Sequence, residues 1–448
     1  MGLEAWTGLR HAIGPVCIGL AVWCAAGRIS LAASDSASIR LAIAAPWWVA
    51  AIAPAAAALV PAWRRSPLLA LPALLGVLPW LPVPLPAVAL VWTGPLAWVP
   101  IGLCVIAAVV ATGAAAPVVG RPLKEGIAAG LVRDPRYQPH IAAGATLVVA
   151  LVAAWVLNPR LPAGDEPHYL VITQSLIKDA DLRIENNHRA RDYAAYLDAP
   201  LAPDFLRRGR DGQIYSIHAP GLPVLVLPAF WLFGYRGAQA AVLILAALAG
   251  GIIWKAGWRA TRSIPAAWFA WAAIAASVTF MLQSVTIFPD GPAMLAVAAS
   301  VLVLLAFAEP DRESPAGCLR LAGISVLLAA LPWLHTRFAI LSAGFGLLIA
   351  WAIVRESPVP VPQRKQRLAW FLGAPTASAI AWFAYFQIIY GTPNPAAPYG
   401  QRPETSWAFV PGGLAGLLFD QQFGLLMYAP VLAVAAFGLS AGSPGPSR

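Results

Sequence analysis

Charged residues are scarce in this sequence. Aspartate, glutamate, lysine and arginine make up 11% of its 448 residues, whereas 59% are hydrophobic and the mean hydropathy is +0.70. This balance excludes a set of soluble domains, although the length alone would allow several. Repeated apolar runs have the length of roughly 20 residues that is needed to cross a bilayer core of about 30 Å. The composition therefore predicts a polytopic membrane protein.

Cysteine and motifs for metal or nucleotide binding are also scarce. The four cysteines, Cys17, Cys24, Cys104 and Cys318, lie in or beside apolar runs and lack the spacing of metal ligands. They are typical of buried small hydrophobic residues and imply no disulfide framework.

The spans must be helical because lipid offers no partner for backbone N–H and C=O groups. The predicted fold is therefore an all-α, polytopic transmembrane helical bundle.

About twelve apolar runs are candidates for spans. They lie at residues 12–27, 41–61, 68–82, 92–113, 141–157, 237–254, 265–282, 291–308, 319–334, 338–354, 368–390 and 424–440. The run at 68–82 is the weakest candidate because Pro72 and Pro79 interrupt it. A further run at 219–233 is short and rich in proline, so the charges of the neighbouring loops decide its placement.

The net charge of +10 is scattered over short loops between the spans, so nucleic-acid binding is not expected. With a cytoplasmic N-terminus and no crossing at 219–233, most basic residues of the short loops face the cytoplasm, as the positive-inside rule requires. We therefore interpret 219–233 as an interfacial or re-entrant helix within an outer loop at 158–236. The predicted parts are a four-span extension at 1–116, a basic cytoplasmic linker at 117–140, a membrane core at 141–440 and a disordered tail at 441–448.

The outer loop holds the polar residues that the spans lack. Nine of the twenty acidic residues and three of the six histidines lie between Asp165 and His218. Asp165 and Glu166 precede an amphipathic helix that is expected to lie on the membrane surface, where the helix dipole favours ionised carboxylates. Such a pair can act as a base or hold a divalent metal, and a simple helix cap at Asp165 is the alternative. The acidic and amide residues at 179–187 are interpreted as a solvated turn.

Three further features share the outer side in this topology. His218 begins the interfacial helix, where it can contact a phosphate, donate a proton or act as a polar cap. Asp290 lies at a turn between two spans, and a plain turn residue is the alternative. His335 and Arg337 interrupt apolar sequence, which is costly for the arginine unless it meets an anion, a carboxylate or the headgroup layer. A long outer loop at 390–424 can cover a cavity lined by these groups.

These residues resemble the glycosyltransferase C (GT-C) superfamily over roughly residues 141–440. Within it the likeness is to the group of protein O-mannosyltransferases and lipid A aminoarabinose transferases. The resemblance is carried by Asp165-Glu166 after a span, by the segment at 218–221, similar to a His-Pro-Pro segment, and by Phe288-Pro289-Asp290. The four leading spans depart from the simplest family pattern. The sequence also stops soon after residue 440. Both a short member of the family and an incomplete one therefore stay open, and the way in which the acceptor is recognised stays open as well.

The resemblance implies an inverting transfer of a sugar from a polyprenyl-phosphate carrier to a hydroxyl of an envelope lipid, glycan or protein. It places the site on the outer face of a bacterial-type plasma membrane. Asp165 would be the base, and Glu166 would orient the acceptor, the base or a metal. The residues expected to bind substrate are His168, His218, Asp290, His335, Arg337 and Arg402. No cofactor is expected, and a divalent metal at the acidic pair remains an alternative.

Two other functions remain open at this stage. A transporter or flippase of lipid-linked sugars would be expected to carry ionisable residues inside its spans and broken helices in two related halves. A non-catalytic envelope-assembly protein would tolerate the loss of both Asp165 and Glu166. The sequence does not identify the sugar, the carrier length, the acceptor or the oligomeric state.

Overall fold

The computed structural model describes residues 3–34, 37–81, 87–115, 134–158, 162–309, 318–356, 359–400, 407–420, 424–428 and 435. It is mostly helical, with 78% helix and 2% strand, which agrees with the predicted all-α class. The chain divides into two compact units, which are described separately. Unit 1 comprises Met1–Val156, Thr261–Leu282 and Thr405–Arg448, and unit 2 comprises Leu157–Ala260 and Gln283–Glu404.

The α-helices are numbered in chain order. They are α1 (Leu3–Ala26), α2 (Trp47–Ala58), α3 (Pro61–Arg65), α4 (Trp98–Ala115), α5 (Gln138–Leu157), α6 (Glu166–Lys178), α7 (Glu185–Arg189), α8 (Gly221–Thr261), α9 (Ile264–Ala275), α10 (Val278–Val285), α11 (Asp290–Phe307), α12 (Cys318–Leu334), α13 (Ala339–Arg355), α14 (Val361–Tyr390), α15 (Val410–Phe419) and α16 (Leu425–Tyr428). 3₁₀ helices lie at Pro67–Trp80, Ala87–Trp92, Gly94–Ala97, Asp192–Ala195, Thr336–Phe338, Ala397–Tyr399 and Trp407–Phe409.

Within the described residues, six helices are long and apolar enough to cross a membrane, and a seventh span results if the bent pair α9–α10 counts as one. They include Gly94–Thr112, α5, α8, α11, Thr336–Arg355 and α14. The bend between α9 and α10 is 65°. The predicted span at 319–334 corresponds to α12, which is shorter, and most of the predicted span at 424–440 lies outside the described residues. A total of about twelve spans therefore stays a prediction.

Unit 1 corrects the prediction of one helix at 41–61. Strands β1 (Arg28–Ser34) and β2 (Ala37–Ile43) form an antiparallel hairpin, with Arg28 opposite Ile43. Helix α2 begins after Pro46, contains Pro54 and ends at Ala58, and Pro61 then occupies the first position of α3, where proline is favoured. The proline-rich run at 68–82 is likewise not an α-helix but a 3₁₀ helix at Pro67–Trp80. Hydrophobicity alone does not reveal these interruptions.

Two buried tryptophans fix α9 against α5 in unit 1. The indole N–H of Trp268 donates to Oε1 of Gln138 at 2.8 Å, and that of Trp271 donates to the hydroxyl of Thr146 at 2.9 Å. All four side chains are buried. A polar group buried in an apolar interior is costly unless it is hydrogen-bonded, so these bonds specify how the two helices pair.

Helix α8 is divided by a break at Gly234. Its 41 residues would measure roughly 60 Å as one helix, about twice the thickness of a bilayer core. Gly234 has φ 59° and ψ −147°, a conformation essentially restricted to glycine. A Cβ on Gly237 would lie 1.9 Å from the carbonyl oxygen of Ala229, so the two parts pack closely at the bend. The break confirms that 219–233 belongs to a helix separate from the following span.

The long helices of unit 2 surround one apolar core. Buried residues from α8, from the turn before α11 and from α12, α13 and α14 meet there, among them Val242, Ile287, Leu328, Ile349 and Phe371. Tyr169 and Leu170 of α6 join the same core. The core therefore attaches the segment after Asp165 to the helical bundle.

Ion pairs mark the two opposite ends of these helices. At one end, Asp290 begins α11 and pairs with Arg337, which precedes α13. At the other end, Arg259 of α8 pairs with Glu309, which lies beyond α11. Helices α11 and α13 therefore begin at the same end of unit 2, which we call the site end.

Candidate functional site

Glu166 is fully buried at the first position of α6, and both of its carboxylate oxygens accept hydrogen bonds. The N–H of Ile287 donates to Oε1 and the N–H of Ala163 donates to Oε2, each at 2.7 Å. Burial raises the pKa of Glu166, and the two backbone hydrogen bonds oppose that rise. Glu166 therefore connects the segment before α6 to the turn before α11.

Asp165 has a different environment from its neighbour, because its side chain is exposed. It occupies the N-cap position of α6, but within the described part of the chain its side chain accepts no capping hydrogen bond. Gly164, with φ +59°, provides the left-handed turn that leads into this position. The alternative of a helix cap formed by the Asp165 side chain is therefore wrong for this conformation. The carboxylate is left open for another partner.

Helix α6 is covered on both sides, whereas the sequence predicted an amphipathic helix with one apolar stripe, and its position at the membrane surface stays a prediction. Tyr169 and Leu170 face the core of unit 2, whereas Val171 and Ile172 pack against residues of the outer loop such as Ile184. Its polar side chains on the loop side are satisfied internally. Gln174 donates to the carbonyl oxygen of Asp192 and accepts from Tyr196, and Ser175 donates to Asp181. The loop folds over the helix because these residues provide partners that the hydrophobic pattern does not reveal.

His218 lies beside α6 and is nearly buried. Its Nε2 is 3.1 Å from Oδ2 of Asp204, and its side chain is 8% exposed. The ring centroid lies 4.7 Å from that of Tyr169 and 5.6 Å from that of His168. Burial lowers the pKa of His218, and the carboxylates of Asp165 and Asp204 oppose this. His218 thus lies close enough to Asp165, at the start of α6, for the charge of this exposed carboxylate to act on it.

A row of three imidazoles extends from this point into the outer loop. The ring of His168 lies 6.3 Å from that of His188, in addition to its contact with His218. Nδ1 of His188 is 3.0 Å from the carbonyl oxygen of Leu201. Nδ1 of His168 and Nε2 of His188 are buried without a hydrogen-bond partner among the described residues. Burial lowers the pKa of both His168 and His188, so the row favours neutral imidazoles.

Arg337 meets Asp290 at the site end of unit 2. One guanidinium nitrogen, Nη2, lies 2.7 and 2.8 Å from the two oxygens of Asp290. The guanidinium also lies over the ring of Phe338 at 5.0 Å. The side chain remains 55% exposed, and its Nε and Nη1 have no hydrogen-bond partner within the described ranges. A carboxylate is one of the three partners expected for Arg337, and its role toward a substrate stays a prediction, with two of its nitrogens available.

His335 stabilises the turn that carries Arg337. Its Nδ1 accepts the backbone N–H of Arg337 at 3.2 Å, at the start of the 3₁₀ turn Thr336–Phe338. Burial and the charge of Arg337 lower the pKa of His335, whereas the charges of Asp290 and Asp165 oppose this. These interactions bring five predicted residues into one electrostatic neighbourhood: Asp165, His218, Asp290, His335 and Arg337.

An apolar groove of about 450 Å³ opens between α8, α11 and α12. Val224 and Leu245 of α8, Leu295 of α11, and Leu327 and Trp333 of α12 form its walls. Its lining also includes residues 220–221, 292 and 334, which lie within three positions of His218, Asp290, His335 and Arg337. An apolar groove thus borders the polar groups at the site end.

The approach of α8 to α12 at this border depends on Gly221. A Cβ at this position would lie 2.4 Å from the carbonyl carbon and oxygen of Trp333. The glycine at the end of the His-Ala-Pro-Gly segment is therefore needed for the close contact. His218 and His335 lie three and two residues along the chain from Gly221 and Trp333 respectively.

Other predicted features are separate from this neighbourhood or outside the described residues. Arg402 and two short parts of the outer loop at 390–424, residues 401–406 and 421–423, lie outside them. The acidic turn after α6 is satisfied internally, because Asp179 accepts from the side-chain amides of Asn186 and Asn187. Across the described ranges, no group of three or more His, Cys, Asp or Glu side chains is arranged to hold a metal ion. The expectation of metal-free chemistry stays a prediction.

Asp204 is the site residue that sequence reasoning did not select. It lies in a stretch without regular secondary structure, and its carbonyl oxygen accepts the N–H of Ile217 at 3.1 Å. This bond fixes the Asp204 segment beside the His218 segment. Its position in the acid-rich outer loop was the signal available, but nothing distinguished it from the neighbouring exposed acids.

Comparison of the chain with protein-family models, with curated proteins and with solved structures finds no match. The geometry of unit 2 is therefore the observation on which a function is proposed.

Proposed function

We propose that this protein is an integral membrane glycosyltransferase that moves a sugar from a polyprenyl-phosphate carrier to a hydroxyl group on the non-cytoplasmic face. The observation that carries the proposal is the apolar groove, whose lining includes residues within three positions of His218, Asp290 and Arg337. A donor of this class has a long apolar tail and an anionic head at its reactive end. The groove and the polar groups offer complementary surfaces to these two parts.

The groove suits the lipid part of such a donor. Its volume of about 450 Å³ lies within the range of roughly 300–1,000 Å³ that is usual for ligand sites. Side chains such as Leu245, Leu295 and Leu327 give it hydrocarbon walls. Burial of the isoprenoid next to the head would therefore orient the phosphate toward Arg337.

Arg337 suits the phosphate. Its contact with Asp290 uses Nη2, so Nε and Nη1 can donate to phosphate oxygens while the ion pair holds the guanidinium in place. A cation positioned beforehand stabilises the charge that develops on a leaving phosphate. Asp290 is then a residue that orients Arg337 rather than one that meets the sugar.

Asp165 suits the role of base in this proposal. It would take the proton from the acceptor hydroxyl as the oxygen attacks the anomeric carbon. The bond from that carbon to the phosphate oxygen breaks, and the electron pair leaves with the polyprenyl phosphate. Attack from the face opposite the leaving group inverts the anomeric configuration. Glu166, with both oxygens bound by backbone N–H groups, would position Asp165 and would not exchange protons.

The proposal is tested by transfer assays with purified protein in liposomes. A panel of polyprenyl-phosphate sugars is supplied with acceptor lipid from envelope extracts, and the released polyprenyl phosphate is measured. At least one donor should be consumed with stoichiometric release. Movement of the intact donor between leaflets without cleavage would instead support a flippase. If the donor is neither cleaved nor moved, the result supports the non-catalytic alternative.

The phosphate assignment is tested by Arg337→Ala in the same assay. The donor KM should rise by about tenfold or more because a charge-assisted hydrogen bond of roughly 1.5–3 kcal/mol is lost. Arg210→Ala is the matched control, since Arg210 is an exposed arginine of the outer loop. An unchanged donor KM in Arg337→Ala would mean that this arginine only reaches toward the membrane surface.

A further inference from the structure

The ring of His218 is held on three sides. Asp204 contacts Nε2 at 3.1 Å, and the rings of Tyr169 and His168 lie at 4.7 and 5.6 Å. The N–H of Ile217 donates to the carbonyl oxygen of Asp204, so the backbone next to His218 is fixed to the same segment. This ring cannot turn without losing the contact with the carboxylate.

The contact with Asp204 determines which nitrogen carries the proton. An ionised carboxylate has no proton to donate and can only accept hydrogen bonds. Nε2, which faces it, must therefore be the protonated nitrogen. In a neutral imidazole the other nitrogen, Nδ1, then has a free lone pair. Nδ1 of His218 has no hydrogen-bond partner among the described residues. It is also not one of the polar side-chain atoms that are completely buried without a partner. It is therefore an accessible acceptor.

We propose that Asp204 is a positioning residue that holds His218 as the neutral Nε2–H tautomer, so that Nδ1 accepts a hydrogen bond from a substrate hydroxyl. This assignment rests on the proposed function and adds which group of the substrate His218 binds. It assigns His218 to a sugar or acceptor hydroxyl rather than to the phosphate, since the lone pair of Nδ1 would repel an anion. Arg337 then remains the group that meets the phosphate.

The charged and titratable groups around His218 are consistent with a neutral ring. Asp165 and Asp204 favour the protonated form, whereas burial opposes it and lowers the pKa of His218 overall. His168 and His335 are the neighbouring bases, and the pKa of each is also lowered. Between pH 7 and pH 8 the ring is therefore expected to be uncharged.

Nitrogen NMR of ¹⁵N-histidine-labelled protein in nanodiscs tests the tautomer without any assay of activity. The chain has six histidines, and His218→Gln assigns the resonance in question. At pH 7.5 the wild type should show a protonated Nε2 and an unprotonated Nδ1. Asp204→Asn should keep this tautomer because its amide oxygen still accepts, whereas Asp204→Ala should give a mixture of tautomers. Asp198→Ala, which removes another exposed acid of the outer loop, should change nothing.

A transfer assay on the same variants gives the functional readout. Asp204→Ala should lower kcat/KM by about tenfold to a hundredfold, corresponding to one lost positioned hydrogen bond, and Asp204→Asn should restore most of the rate. A protonated Nδ1, an imidazolium at pH 7.5 or an unchanged Asp204→Ala spectrum would overturn the positioning role. If the tautomer is found but no donor is cleaved, the positioning of His218 stands and the proposed function fails.

Discussion

At the residue scale, the adjacent carboxylates Asp165 and Glu166 have opposite environments. Glu166 is buried and accepts two backbone hydrogen bonds, whereas Asp165 is exposed and lacks a capping bond within the described chain. The sequence could place the pair at the start of a helix. It could not show that Glu166 is buried and hydrogen-bonded while Asp165 is exposed. That division depends on Ile287, a residue 121 positions further along the chain. Local sequence carries no information about such a partner.

Replacement of Glu166 by glutamine tests its structural role. Glutamine offers one acceptor oxygen where the carboxylate offers two, so one of the N–H groups of Ile287 and Ala163 loses its partner. Each buried amide left without a partner costs roughly 1–3 kcal/mol. The thermal midpoint of the purified protein should fall accordingly, and further in Glu166→Ala. Asp165→Asn provides the control, and a midpoint for Glu166→Gln equal to that of the control would contradict the role.

The histidine row predicts that acid destabilises the protein. The pKa values of His168, His188 and His218 are lowered in the folded state, so the unfolded chain binds more protons as pH falls. Their contribution to stability is complete above the unfolded value of about 6.5 and is lost as pH falls through the folded values. Melting curves between pH 8 and pH 5 should show a falling midpoint, with a shallower fall in His168→Gln. Parallel curves for the two proteins would refute this account.

At the element scale, the glycines of α8 determine how the interfacial segment meets the bundle. The proline-rich composition predicted a separate helix at 219–233, and the break at Gly234 agrees with it. The close approach of Gly221 to Trp333 was not predictable, because it joins two segments that are more than a hundred residues apart. The hairpin of β1 and β2 was also missed, since an apolar strand in a membrane protein resembles part of a span.

Gly221→Ala tests the close contact between α8 and α12. The added Cβ would lie 2.4 Å from the backbone of Trp333, so one helix must shift. Overpacking of this kind typically costs about 1–3 kcal/mol, which would lower the thermal midpoint and open the border of the groove. Gly323→Ala on α12 is the matched control, since its Cβ would meet nothing within 4 Å. Equal midpoints in the two variants would show that the contact is not tight.

At the scale of the whole molecule, composition predicted the helical class, and the described residues bear it out with six long apolar helices. The number of spans and their orientation depend on charge counting and remain predictions. The neighbourhood of Asp165, His218, Asp290 and Arg337 was predicted from their shared outer side. Its partners Asp204 and Phe338 were not, because topology brings residues to one side of a membrane without specifying contacts.

Cysteine labelling tests the predicted orientation. Asp198→Cys, in a background without the four native cysteines, should react with an impermeant reagent added to intact cells. Lys365→Cys, at the far end of unit 2, should react only after the membrane is opened. Both positions are exposed, so access alone decides the result. The reverse pattern would invert the topology and remove the outer-face site.

The central claim is that Asp165 is the base of a sugar transfer, and single-turnover transfer by Asp165→Asn tests it most directly. With the donor that the panel identifies, Asp165→Asn should slow the chemical step by at least about a hundredfold, as expected for loss of a general base, while donor binding and the thermal midpoint stay close to wild type. Asp198→Asn should transfer at the wild-type rate. Transfer by Asp165→Asn at the wild-type rate would contradict the account.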